Sequence, residues 1–201
     1  NGINWVQVGL DIDGEAANDQ SGYSVSMNAA GDRVAIGTPY NYGWMGSNKG
    51  HVRVYSYNGS WWSKLGNDID ADQNVENFGF SVALNGVGDK IVIGSTRLSI
   101  YDTYGGHATV CEYINNNWQK SASVSGSDGS SWNSGGNNTT YWGGDDLGYS
   151  VDINYSGDKI AVGLIRGNRI NPSGAAQYTN GLVKVYNFSG SNLTQIGSDI
   201  N

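Results

Sequence analysis

Two groups of residues in this sequence have the types and spacing to do chemistry. The first is aromatic. Tyr40, Tyr42 and Trp44 stand at alternate positions beside Asn41 and Asn48, and Trp132, Tyr141 and Trp142 punctuate a Ser-, Gly- and Asn-rich stretch from Ser121 to Asp146. Indole and phenol rings stack on a pyranose face while neighbouring amides bond its hydroxyls, so these segments would suit a glycan. The bland alternative, which we favour, is that the rings anchor glycine-rich loops and bind nothing. The second group is acidic: Asp11, Asp13, Glu15 and Asp19, echoed by Asp68, Asp70, Asp72 and Glu76. Hard oxygen ligands of this kind would take a divalent cation, with Asp11 and Asp13 as the first ligands to name. Read blandly, and again preferably, they are solvated turn carboxylates that blunt an outer edge strand.

Other chemistry finds little footing. No Ser/His/Asp set, paired-carboxylate motif, CxxC pair or phosphate-cradling loop stands out, and an enzyme built here would need two carboxylates from different repeats facing one cleft. Cys111 is the one cysteine, so no intrachain disulfide forms. It aligns with Tyr55 and Tyr186, as His51 and His107 align with Leu182, so strand packing is the role expected of all three. A net charge of −7 without a basic stripe excludes a phosphate-backbone partner such as nucleic acid. No apolar run approaches the roughly 20 residues of a membrane helix, so no membrane insertion is expected. Six Asn-x-Ser/Thr sequons, at Asn58, Asn137, Asn138, Asn154, Asn187 and Asn192, lean mildly toward a secreted setting.

What must position these residues is a repeat. The stretch from Gly22 to Gly37 reads Gly, aromatic, Ser, Val, any, apolar, Asn, two free positions, Gly-Asp, basic, apolar, any, apolar, Gly. It returns from Gly79 to Gly94 and again from Gly148 to Gly163. The opening glycines stand 57 and 69 residues apart. A second block follows each copy (Gly50–Tyr55, Gly106–Cys111, Gly181–Tyr186), and a third appears four times: Trp5–Ile12, Trp62–Ile69, a degenerate Trp118–Lys120, and Leu193–Ile200. Each block alternates apolar and polar residues at period two, the mark of a half-buried strand. Asn28–Asp32 and Tyr57–Ser60 supply hairpin turns. The expectation is all-β: three four-stranded antiparallel units, packed face to face like β-propeller blades.

At this point the residues resemble a known family. Gly-(Phe/Tyr)-Ser-Val, the apolar strand ending in Ile36-Gly37-Thr38-Pro39, and Gly9–Asp19 before it look like the FG-GAP repeat, distantly similar to integrin α-subunit propellers. The likeness covers all three units, the third least well. Calcium-loaded blades of that kind carry Asp-x-Asp-x-Asp-Gly in the first hairpin. Here the hairpins hold one carboxylate each (Asp32, Asp89, Asp158), too few for a calcium cage. The chain therefore resembles an Asp-poor variant with no cofactor expected.

The resulting plan places an orphan outer strand at 1–12, blades at about 13–69, 70–120 and 146–201, and an inserted loop at 121–145. Three blades are fewer than the four to eight of an ordinary ring. The end faces should then be apolar and unsatisfied, unless the chain continues a longer array or copies join end to end. The function implied is a non-enzymatic, extracellular or surface-exposed repeat domain for adhesion or structural assembly. Its partners would be proteins or further copies of itself; the alternative is a lectin-like module binding glycans at the aromatic loops.

Overall fold

An asparagine closes the first hairpin of every copy. In a computed structural model describing residues 4–41, 49–72, 77–96, 105–126, 132–133, 140–141, 145–165, 167–170, 176–179 and 181–200, the Asn28 amide oxygen accepts the backbone N–H groups of Asp32 and Arg33 at 3.1 and 2.9 Å, and its nitrogen donates to the Asp32 carboxylate at 2.8 Å. Asn154 does the same with Asp158 and Lys159, while Asn85 donates to the Asp89 carboxylate and accepts from the backbone N–H groups of Gly88 and Lys90, both at 2.9 Å. The Asn-x-x-Gly-Asp-basic signature is thus a turn device: a short side chain stands in for backbone partners that the reversal leaves unpaired.

The hairpins open three antiparallel sheets. The first contains β1 (Ser24–Met27), β2 (Arg33–Thr38), β3 (His51–Tyr57) and β4 (Trp62–Lys64) in that order, with β5 (Ile69–Asp70) also pairing with β3. The second contains β6 (Phe78–Leu84), β7 (Lys90–Ser95), β8 (His107–Ile114) and β9 (Asn117–Ser125). Two short strands, β10 (Trp132–Asn133) and β11 (Thr140–Tyr141), pair with each other. The third sheet contains β12 (Ser150–Ile153), β13 (Lys159–Leu164), β16 (Leu182–Ser189) and β17 (Asn192–Gln195), and a side hairpin of β14 (Gly167–Ile170) and β15 (Ala176–Thr179) lies between its second and third strands. The described residues contain no helix, and the all-β expectation stands.

The register repeats too. Val25 pairs with Ile36, Val82 with Ile93 and Val151 with Val162. The fourth strand shows how one plan tolerates two solutions. In the first sheet it breaks at Gly66 (φ 78°) and resumes as β5; in the third it breaks at Gly197 (φ 69°) and resumes as the Val183–Ile200 bridge. In the second sheet β9 runs on unbroken by way of a bulge opposite Val110/Cys111.

That continuity corrects the boundary expected at residue 120. Ser121–Ser125 belongs to the strand and not to the inserted loop, because Ala122 and Val124 alternate with serines and pack against the core. The segment at residues 5–12 is corrected as well: it forms no strand in any sheet, since its equivalents pair with a third strand and none lies beside it.

The sheets lie face to face around two cores. One, between the first and second sheets, includes Ala35, Val52, Val54, Leu84, Ile91, Cys111 and Trp118. The other, between the second and third, includes Ala83, Val92, Val110, Ile153, Ile160, Val162 and Tyr186. The second sheet is buried on both faces, which explains its near-continuous apolar strand Ile91-Val92-Ile93, each residue 0% exposed.

Candidate functional site

The geometry of greatest interest lies where one sheet meets the next, because the same contacts occur twice. The Ser24 hydroxyl donates to the Gly79 carbonyl at 2.7 Å, and the Ser81 hydroxyl to the Gly148 carbonyl at 2.8 Å. Gly37 and Gly94 face those same carbonyls so closely that a Cβ on either would collide with backbone. The hairpin tips are stitched by backbone bonds, Ala29 N–H to Gly86 O and Gly86 N–H to Tyr155 O, both 3.1 Å. Farther out, the Trp118 indole donates to the Leu65 carbonyl at 2.9 Å and lies over Gly66.

One of these contacts occurs where only two sheets were needed to explain the rest. The Trp62 indole donates to the Val8 carbonyl at 2.9 Å and lies over Gly9, although residues 5–12 belong to no sheet. Gln7 donates to the Asp11 carboxylate at 2.7 Å, matching Lys64 with Asp68 at 2.7 Å and Gln195 with Asp199 at 2.8 Å. The N-terminal segment therefore occupies the place of an outer strand from a preceding sheet.

Asp11, named above as a metal ligand, is one of three equivalent braces. Asp13 is exposed, Glu15 is ion-paired with Arg53, and Asp19 accepts from Asn41 at 3.0 Å. Among the described residues no three acidic, histidine or cysteine side chains come together as a metal group. Asp68 receives two bonds from Arg53, at 2.8 and 2.9 Å, and this guanidinium holds its carboxyl well below the usual carboxylate range.

The aromatic candidates divide. Tyr40 stands edge-on to Tyr23 at 5.7 Å between ring centroids. Tyr23 packs on Phe80, and Phe80 on Tyr149, each at 5.1 Å. The aromatic of each Gly-aromatic-Ser copy thus forms one rung of a ladder across all three sheets. Sequence reading named Tyr40 and missed the other three, although their recurrence in the repeat was the signal. The backbones of Trp132 and Tyr141 pair directly in the β10–β11 hairpin. Tyr42, Trp44 and Trp142 lie outside the described residues.

The remaining candidates are structural in their surroundings. Cys111 is fully buried in the first core, and burial pushes its thiol up to about 12. His51 is buried at the start of β3; desolvation, then the Arg53 charge, lowers its pKa. An open cleft of about 460 Å³ is lined by His107, Thr109, Lys120 and neighbouring serines. The carboxylate among its described lining residues, Asp72, is ion-paired with Lys120 at 2.6 Å.

The two outer faces of the stack are different again. On the front of the first sheet Val25 is 64% and Met27 55% exposed, whereas their equivalents Val82 and Leu84 are 8% and 6%. On the back of the third sheet Val183 is 37% exposed, against 0% for Val52 and 1% for Ala108. No protein-family model and no curated protein matches this sequence.

Proposed function

We propose that the three sheets are blades of a β-propeller-like array of the FG-GAP type, and that the chain is a non-enzymatic adhesion or assembly module. In this reading it works outside the cell or on a surface, through its blade ends and loops. The observation that carries the reading is the repetition of one interface. Ser24/Gly79 and Ser81/Gly148 are the same joint made twice, and each outer sheet presents the unmatched half of a third. A face built to receive a sheet is a binding surface by construction.

Wedge-shaped spacing supports the propeller geometry. The innermost strands approach through serine and glycine, while Trp118 stands between the outer strands of the first and second sheets and Trp62 stands likewise between its own outer strand and the segment at residues 5–12. Sheets that are close on one side and spread on the other turn about an axis. The resemblance to FG-GAP repeats adds the extracellular setting.

A bead-attachment assay with the full chain tests this. Attachment to like beads or to a cell layer should fall when Met27→Arg or Val183→Arg places a charge on an end face. No attachment would overturn the reading. Attachment that survives those changes but is lost with Trp44→Ala or Trp142→Ala, together with binding on a glycan array, would replace it with the lectin reading.

A further inference from the structure

We propose that the front of the first sheet docks the back of the third sheet of a second copy, head to tail, and that residues 5–12 compete for that place. The inference rests on the assembly reading above and names its partner. The two internal joints specify the third one contact by contact. Ser150 is exposed on the back of the third sheet, where Ser24 and Ser81 each reach a glycine carbonyl of the following sheet. Gly22 is exposed at the front, while its equivalents Gly79 and Gly148 are buried as acceptors of those bonds. Tyr149 and Tyr23, 41% and 45% exposed, are the outermost of the three repeat aromatics, Tyr23 with Tyr40 edge-on beside it. A second copy set one sheet-step away would join Ser150 to Gly22 and continue the ladder from Tyr149 to Tyr23. It would also cover Val25, Met27 and Val183.

One feature opposes this. The outer strand of the third sheet would bring Ile196 and Gly197 onto Trp62, as Leu65 and Gly66 lie on Trp118. That place is held by Val8 and Gly9 of the same chain. A Cβ at Gly197 would meet nothing within 4 Å, so this copy of the glycine lacks the indole that the other two possess. Segment 5–12 and a second copy therefore exclude each other at Trp62, and the segment limits association without covering the inner strands. The contact is heterologous, so growth continues to a ring if the rotation closes and to a filament if it does not.

Sedimentation velocity on the full chain tests both halves. Gly9→Val places a side chain on Trp62 at a left-handed φ of 76° and unseats the segment; Gly9→Asp does so by a second route. Either should tighten association about tenfold, because the competent fraction rises from a minor population to most of the protein. In that background Met27→Arg alone and Val183→Arg alone should each be monomeric, and mixing the two should give a heterodimer through the faces left intact. Folding of every variant is checked by circular dichroism. Folded Gly9 variants that remain monomeric from micromolar to near-millimolar concentration would overturn the proposal. So would a Val183→Arg chain that still self-associates, since its front face would then be meeting another front face. If bead attachment still depends on Met27 while copies do not associate, the second copy is refuted and the assembly reading survives.

Discussion

The recurring serine offers a controlled experiment within one molecule. Ser24→Ala and Ser81→Ala each remove a hydroxyl that bridges to a buried glycine carbonyl, at 2.7 and 2.8 Å. A net hydrogen bond is worth about 0.5–1.5 kcal/mol, and a buried acceptor left without its donor raises the loss toward 3 kcal/mol, so we expect about 1–2 kcal/mol for each. Ser150→Ala is the same substitution at the same place in the repeat, but Ser150 is exposed and bonds no following sheet within the chain; its effect should stay within about 0.5 kcal/mol. Urea unfolding followed by tryptophan fluorescence reads all three as shifts in midpoint at unchanged slope. For a chain of this size each kcal/mol also moves Tm by about 2–4 °C. If Ser150→Ala costs as much as the other two, the serine serves its own hairpin and the inter-sheet argument fails. If Ser24→Ala and Ser81→Ala both prove neutral, it fails the same way.

Four further outcomes follow from the packing and the ionisable groups. Gly94→Ala drives a Cβ into the Gly148 carbonyl and the Ser81 hydroxyl, and should destabilise by about 1–3 kcal/mol in a thermal melt. Asp68→Asn breaks the paired bonds to Arg53 and should lose about 1.5–3 kcal/mol at neutral pH. Because the folded Asp68 carboxyl is depressed below its usual 3.8, its contribution is complete above pH 3.8 and fades as pH falls below it; the variant should show a flatter acid limb. The folded His51 pKa is lowered from 6.5, so its contribution is complete above pH 6.5 and fades as pH falls through the folded value; His51→Leu should remove that part of the acid sensitivity in urea midpoints. Cys111 should react with a thiol reagent only as fast as the fold opens, and rapid labelling in native buffer would contradict its burial.

Much of this architecture was legible in the sequence, because each copy of the repeat poses the same physical problem. Alternation at period two gave the strands, and Asn-x-x-Gly-Asp gave the hairpins. Three copies gave three sheets, and the aligned positions of His51 and Cys111 marked them as packing residues. Less legible was everything that depends on a neighbour. Ser24, Gly37 and Gly79 read as close-packing residues, but what they pack against appears only when two sheets are superposed and they become one joint. The acidic cluster at 11–19 read as a unit because its members are close in sequence; in space they serve Gln7, Arg53 and Asn41 separately. Residues 5–12 carried a strand's alternation without a strand's partner. Period alone cannot distinguish a residue pattern from the ladder it was shaped to join.

The lengths of the repeats have a consequence for how such a chain can change. The joints between the inner strands of adjacent sheets fall within a block of the same sixteen residues, Gly22–Gly37, Gly79–Gly94 and Gly148–Gly163, while the distances between blocks differ. The forward-facing and backward-facing halves of a joint are carried by every unit alike. Duplicating a segment from one Gly-aromatic-Ser to the next would hand the newcomer a fitting neighbour on either side, with no compensating substitution. Copy number is therefore cheap to alter by recombination, whereas a single residue gained or lost inside a block would misalign two tiers at once.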